Sequence, residues 1–231
     1  MTTSKAVTSQ IAIKKKSTYL WTKLATMWYP VRTPFYIKLL FPGLLCNLAK
    51  TEKAVLYLSF DDGPNSVVTP WVLDTLKKYN AKATFFCIGK KVETNPEIYS
   101  QILAQGHSVG NHSYSHPNGW KTGFKEYIED VERCAKSVNS RLFRPPYGRI
   151  GLRQMSALQK KNYQIVLWDV LSGDFDPKLS KEQCLKNVLQ NSKNGSIIVF
   201  HDAEKAFEKL SFVLPLILEH FLNLGFEFKA I

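Results

Sequence analysis

The stretch Ala54-Val55-Leu56-Tyr57-Leu58-Ser59-Phe60 leads without a break into Asp61-Asp62-Gly63-Pro64. A run of aliphatic, β-branched and aromatic residues that ends at a Gly-Pro breaker predicts a strand followed by a loop. The run is apolar rather than alternating. That pattern suits a strand covered on both faces, as in a parallel sheet flanked by helices.

The same arrangement, an apolar run ending in polar residues, recurs along the chain. Ala83–Ile88, His107–Gly110, Leu142–Arg144, Gln164–Trp168, Ser196–Phe200 and Phe226–Phe228 read as further strands. Helical stretches separate them at Thr69–Tyr79, Pro96–Gln105, Phe124–Val138, Leu152–Lys160, Lys181–Asn191 and Ala206–Leu224. The last is expected to break at Pro215, which has no N–H for the helix ladder. Strands alternating with helices predict an α/β fold with a parallel sheet inside and helices outside. No internal repeat or interdomain linker interrupts it.

The unusual polar residues fall at the carboxyl ends of these strands. Strand one ends in Asp61-Asp62, strand three in Asn111-His112-Ser113-Tyr114-Ser115-His116, and strand four in Arg144-Pro145-Pro146-Tyr147-Gly148. Strand five leads through Trp168-Asp169 to Asp174, and strand six ends at His201-Asp202. In a closed or nearly closed parallel barrel those ends meet on one face, where such folds carry their active sites. Each piece alone has an ordinary reading: a turn, a surface histidine, a rigid loop. Convergence of five on one face is what argues for a site.

The chemistry is specific. Two imidazoles and one carboxylate leave an open position on a divalent metal, as in catalytic zinc centres. His112 and His116 would supply the nitrogens and one of the paired aspartates the oxygen. The other aspartate is then free as a general base for a water acidified by the metal. Arg144 would hold that base ionised. His201 titrates in the range needed to protonate a leaving amine.

With these residues in view, the chain resembles the polysaccharide deacetylases with a NodB-homology domain, carbohydrate esterase family four, over about residues 54–231. Ser59-Phe60-Asp61-Asp62-Gly63 is similar to the first family motif, Thr/Ser-Phe-Asp-Asp-Gly. His112-Ser113-Tyr114-Ser115-His116 resembles the second, Arg144-Pro145-Pro146-Tyr147 the third, and Ile198-Val199-Phe200-His201 the fifth. The resemblance implies a distorted (β/α) barrel, commonly of seven parallel strands. It implies a divalent ion, zinc first with cobalt or nickel as alternatives, on Asp62, His112 and His116. It implies Asp61 as base assisted by Arg144, and His201 as acid assisted by Asp174. The backbone N–H of Tyr147 would stabilise the oxyanion. Pro146, Tyr147, Trp168 and Phe175 are expected to face the substrate. The implied reaction is removal of N-acetyl groups from an amino-sugar polymer or oligomer, chitin-like or peptidoglycan-type. The alternatives are a small cyclic amide or an O-acetyl ester on the same fold and metal, or a non-catalytic carbohydrate-binding module. The last predicts a lost base or ligand, and none is lost.

The fourth motif departs. Where the family has Asp-x-x-Asp-Trp, this chain has Leu171-Ser172-Gly173-Asp174-Phe175, with Asp169 and Asp176 nearby. The expectation is a groove wall more apolar than usual, with Asp174 the surviving acid.

Residues 1–53 read as a basic arm and an irregular, Pro-punctuated lead-in, ahead of the domain at 54–231. They hold nine Lys/Arg and one acid, whereas residues 54–231 hold 22 and 18. The +12 net charge is therefore concentrated in a leading segment. Basic residues placed there do not make a folded face with stacking aromatics, so no nucleic-acid partner is expected. Leu20, Leu24, Met27 and Trp28 have helical spacing, and residues 17–46 are a candidate for peripheral membrane contact. Met27 offers an alternative first residue. Lys14-Lys15-Lys16 followed by aromatics has the charged start of a signal peptide, but Pro30, Arg32, Pro34 and Lys38 break the apolar region. A cytoplasmic or peripherally membrane-associated protein is the expectation. Cys46, Cys87, Cys134 and Cys184 are widely spaced, which argues against a disulfide framework.

Overall fold

A computed structural model describes residues 29–41 and 43–231, of which Val31–Ile231 form one compact unit. The helix expected at Leu20–Trp28 lies outside the described residues. In chain order the unit comprises α1 (Phe35–Leu40), β1 (Leu44–Leu45), β2 (Val55–Asp61), α2 (Val68–Lys78), β3 (Ala83–Cys87), α3 (Gly89–Thr94), α4 (Pro96–Ala104), β4 (Ser108–Asn111) and α5 (Phe124–Cys134). It continues with β5 (Leu142–Phe143), α6 (Leu152–Lys160), β6 (Gln164–Val166), β7 (Val170–Leu171), α7 (Lys181–Leu189), β8 (Ile197–His201), α8 (Glu204–Asn223) and β9 (Glu227–Phe228). A 3-10 turn at Pro146–Gly148 follows β5.

The strands form one curled sheet in the order β1-β6-β5-β4-β3-β2-β8-β7, with β9 added to β2, and every strand pair is parallel. The alternation of elements predicted the parallel sheet with helices outside, and its curled form is the distorted (β/α) barrel that the family resemblance implied, with nine strands in place of the common seven. All seven expected strands are present, and β1 and β7 join them as two-residue strands. Both were missed because two residues carry no periodicity. α3 was missed for a similar reason, being six residues long.

Two features differ from the sequence reading. Residues 31–48 are not simply an irregular lead-in. The N–H of Leu171 donates to Val31, that of Leu167 to Leu45, and that of Leu48 to Gly195. β1 lies on β6, and Asn47 bridges Ser196 at the start of β8. The segment therefore spans the gap between β6 and the β7–β8 edge, supplying partners to main-chain groups that an open edge would expose. The second difference is Pro215, which does not break α8. The helix continues from Glu204 to Asn223 because Val213, Leu214, Ile217 and Leu218 are buried around the proline, and their burial outweighs one lost hydrogen bond.

Strand register sorts side chains between the two faces. Phe60 is level with Phe85 on β3 and Phe200 on β8, and the rings stack at 5.1 and 5.9 Å. These aromatics join Val72, Leu76 and Leu214 in the core between sheet and helices. Side chains alternate along a strand, so Ser59 and Asp61 belong to the opposite, interior face. Asp61 is level with His201 across the β2–β8 pair. Among the described residues no helix is long and apolar enough to cross a membrane. None of the four cysteines is in a disulfide, and all are buried.

Candidate active site

Inside the barrel, Arg144 is fully buried. One Nη donates to Asp61 Oδ1 at 2.7 Å and to Ser59 Oγ at 2.8 Å, and the other donates to the Leu167 carbonyl at 2.9 Å. The guanidinium carbon lies 4.0 Å from the Phe86 ring centroid. Its fixed fork thus joins β2 to the loop after β6 and presses one face on an aromatic ring.

Beside this pair lie the two histidines and the second aspartate. Nδ1 of His112 is 2.7 Å from the Arg144 carbonyl, an arrangement in which it donates and leaves Nε2 free as a ligand. Nε2 of His112 is 3.6 Å and Nε2 of His116 is 3.1 Å from Asp62 Oδ1. One donor atom from each of the three residues lies within 4.8 Å of the others. Two neutral imidazoles and a carboxylate in that span fit a divalent cation with an open position. Burial would raise the Asp62 carboxyl, but hydrogen bonds from His112 and His116 and the charge of His201 outweigh it. The carboxyl lies far below the ordinary carboxylate range. Burial pulls the His116 imidazole down, against the pull of Asp62, and so favours the neutral ring that a metal requires.

The loop carrying these histidines is braced from behind. Asp130 of α5 accepts the N–H groups of Tyr114 and Ser115, and Asn111 Oδ1 accepts that of Ser113. Of the six non-glycine residues with positive φ among the described residues, four lie at this site: Asp62, Ser113, His116 and Tyr147. Left-handed backbone at such residues is uncommon and concentrates where surrounding structure holds a functional geometry.

On the other side of Asp61, Asp174 grips His201 twice. Oδ1 is 2.8 Å from Nδ1, and Oδ2 accepts the His201 backbone N–H at 2.7 Å. Burial would depress the imidazole, but Asp174 outweighs it and the ring is pushed up to about 9. Phe175 meets the same ring edge-on at 4.9 Å between centroids. Asp169 and Asp176 act elsewhere. Asp169 accepts from Ser196 Oγ, and Asp176 caps the turn at Lys178. Leu171 is buried in β7 against Val199, so it adds nothing to an exposed groove wall.

A cleft of about 480 Å³ opens beside the candidate metal ligands, with Asp62, His116, Tyr147, Lys91 and Lys205 in its lining. Tyr147 is 61% exposed, with its ring 4.6 Å from that of His116. Pro146 is buried, and half-buried Trp168 packs against Gly148. The sequence reading missed the two lysines. Lys205 Nζ lies 2.7 Å from Asp62 Oδ2, and Lys91 Nζ donates to the Asp62 carbonyl. Lys205 follows His201-Asp202 by three residues, a proximity in sequence that could have drawn attention to it. Asp202 was also passed over. Burial pushes its carboxyl up to about 7, and a Cβ on Gly63 would stand 2.0 Å from its Oδ2. Only glycine fits at that approach.

A family model described as polysaccharide deacetylase matches residues 49–166. The chain is 40% identical over 156 residues to a peptidoglycan-N-acetylglucosamine deacetylase of Bacillus cereus, covering 65% of this chain and 56% of that one. It is 35% identical over 189 residues to peptidoglycan-N-acetylglucosamine deacetylase PgdA of Listeria monocytogenes, covering 79% and 39%. The chain thus spans little more than half the length of the first relative and less of the second. Its fold superposes on the crystal structure of the Bc1960 peptidoglycan N-acetylglucosamine deacetylase with a TM-score of 0.76 at 33% identity, covering 86% and 95%.

The donor geometry leads to a direct expectation. Protein prepared without chelators should carry about one equivalent of a divalent ion, and His116→Ala should lose most of it. Elemental analysis of both proteins checks this; full metal content in the variant would refute the ligand set.

Proposed function

Because the chain belongs to the polysaccharide deacetylase family, we propose that it hydrolyses N-acetyl groups on an amino-sugar polymer or oligomer, releasing acetate and a free amine. The observation that carries this reading is the level pairing of Asp61 and His201 on adjacent strands, one held by Arg144 and the other by Asp174. A base and an acid stand side by side, each with its own charged support, next to Asp62, His112 and His116.

Those three residues would hold a divalent cation, zinc in this reading with cobalt or nickel able to substitute. When bound, the ion would acidify water and polarise the acetamide oxygen as a Lewis acid. Asp61 takes the proton of the attacking water, and the hydrogen bond from the Arg144 guanidinium fixes where its carboxylate stands. The backbone N–H of Tyr147 donates to the oxyanion that develops on the former carbonyl oxygen as the carbon becomes tetrahedral. Protonated His201 then delivers its proton to the sugar nitrogen, so the amine rather than its anion leaves. Asp174 holds Nδ1, which directs the other ring nitrogen to that task. Peptidoglycan-N-acetylglucosamine deacetylases among the relatives favour a cell-wall glycan as substrate.

Peripheral membrane contact is a second element of this reading. Phe35, Tyr36, Leu39 and Leu40 of α1 are 49–78% exposed, in a region of +8 net charge over residues 1–53. Apolar side chains beside cationic ones suit an anionic bilayer surface. The full chain should sediment with phosphatidylserine-containing vesicles, and a Phe35→Ser/Leu39→Ser variant should do so much less. Equal sedimentation would remove the assignment.

The division of labour between the aspartates is testable. Asp61→Asn should retain metal and lose roughly 10²–10⁴-fold in turnover, the usual worth of general-base catalysis. Asp62→Asn should lose metal as well. Parallel metal analysis and kinetics distinguish the two roles, and equal metal loss in both variants would overturn them.

The acid has a pH signature. His201 acts protonated, and Asp174 raises its pKa, so activity should fall as pH rises through the raised value. Asp174→Asn removes the raising charge. Its alkaline limb should move to lower pH, with lower kcat and unchanged metal content. A pH–rate profile overlaying that of the wild type would dismiss the pairing.

A further inference from the structure

Trp120 has no part in the chemistry above, yet its indole is 68% exposed. A large apolar side chain left in water forgoes substantial burial free energy. Its orientation is nevertheless held. Nε1 donates to the Ile150 carbonyl at 3.2 Å, and the Arg149 guanidinium lies 5.1 Å from the ring centroid. The loop beneath it is pressed tightly on the same segment, since a Cβ on Gly119 would stand 2.5 Å from the Arg149 carbonyl oxygen.

Its position connects it to the catalytic cleft. Trp120 follows the metal-set histidine His116 by four residues in the β4–α5 loop. The segment it grips, residues 149–150, follows directly from Tyr147, whose ring touches His116. Three residues of chain span at most about 10 Å, so Ile150 lies within that reach of Tyr147. An exposed tyrosine beside His116 and an exposed, anchored tryptophan are thus a short span of chain apart.

We propose that Trp120 is a stacking platform for a sugar unit distal to the one being deacetylated, so that the site takes a chain of several amino sugars rather than a single one. The C–H-rich faces of a pyranose are apolar and electropositive, and they complement the negative face of an indole. A ring already fixed at its N–H edge loses little freedom on binding. Binding energy from a remote unit can then be used to orient the reacting acetamide. This rests on the deacetylase reading, and the test separates the two.

Full-length, metal-loaded wild type, Trp120→Ala and Trp120→Phe are assayed on N-acetylglucosamine di- to hexasaccharides. Binding of the hexasaccharide is measured separately by calorimetry in the Asp61→Asn background, with and without Trp120→Ala. The wild-type kcat/KM should rise with chain length. The Trp120→Ala loss should grow with length to roughly 10-fold at the hexasaccharide, the size seen when an aromatic stacking partner is removed. Trp120→Phe should restore most of it, because a ring face remains. A loss equal at every length, or no loss, overturns the platform while leaving the reaction intact. Absence of turnover together with Trp120-dependent hexasaccharide binding supports the platform and overturns the reaction instead. Absence of both turnover and binding overturns both.

Discussion

A guanidinium with no exposed surface, at the centre of a parallel barrel, is the constraint on which the rest of this structure depends. Arg144 cannot lose its charge, so every donor it carries into the interior needs an acceptor. Asp61, Ser59 and the carbonyls of Val166 and Leu167 supply them. In doing so they hold β2, β5 and the end of β6 in one arrangement around the carboxylate assigned as base. Removing one member of such a buried pair leaves the other charge uncompensated, a loss on the order of 3–5 kcal/mol. The Arg144 carbonyl also orients His112, so one residue holds the proposed base through its side chain and a proposed ligand through its backbone.

The electrostatics of the cleft follow from this frame. Asp61, Asp62 and Asp174 lie buried within one small region, and Arg144, Lys205 and His201 each stand against one of them. The pairing is asymmetric. Lys205 is about half exposed and reaches Asp62 Oδ2 from the solvent side, whereas Arg144 and Asp174 are enclosed with their partners. A carboxylate whose counter-ion stands on the solvent side suits a cation ligand. A carboxylate whose counter-ion is enclosed with it suits a fixed base. The raised His201 imidazole is the counterpart, a ring whose protonated form is favoured by the acids around it.

Much of the fold was legible because its signals are local. The apolar run at 54–60, the helical spacing of 152–160 and the breakers between them depend on a few adjacent residues. The site was legible for the same reason, as Asp61-Asp62, His112-x-x-x-His116, Arg144-Pro145-Pro146-Tyr147 and His201 each sit at the end of a recognisable strand. What stayed hidden involved either very short elements or distant partners. β1 and β7 are two residues long, and α8 survives Pro215 only because of what its neighbours bury.

The sequence by itself therefore determined at which strand ends the titratable residues gather and which residue types meet there, since apolar runs, breakers and motif spacings act over a few positions. Tertiary structure alone decided that Asp61 stands level with His201, that Asp174 rather than Asp169 or Asp176 supports that ring, and that Lys205 reaches Asp62. It alone made residues 31–48 part of the barrel wall. These outcomes depend on register and burial between groups far apart along the chain, 83 residues for Arg144 and Asp61 and 143 for Lys205 and Asp62. The charge state of a buried group is set by whichever partners the packed fold brings to it, and no local pattern encodes them.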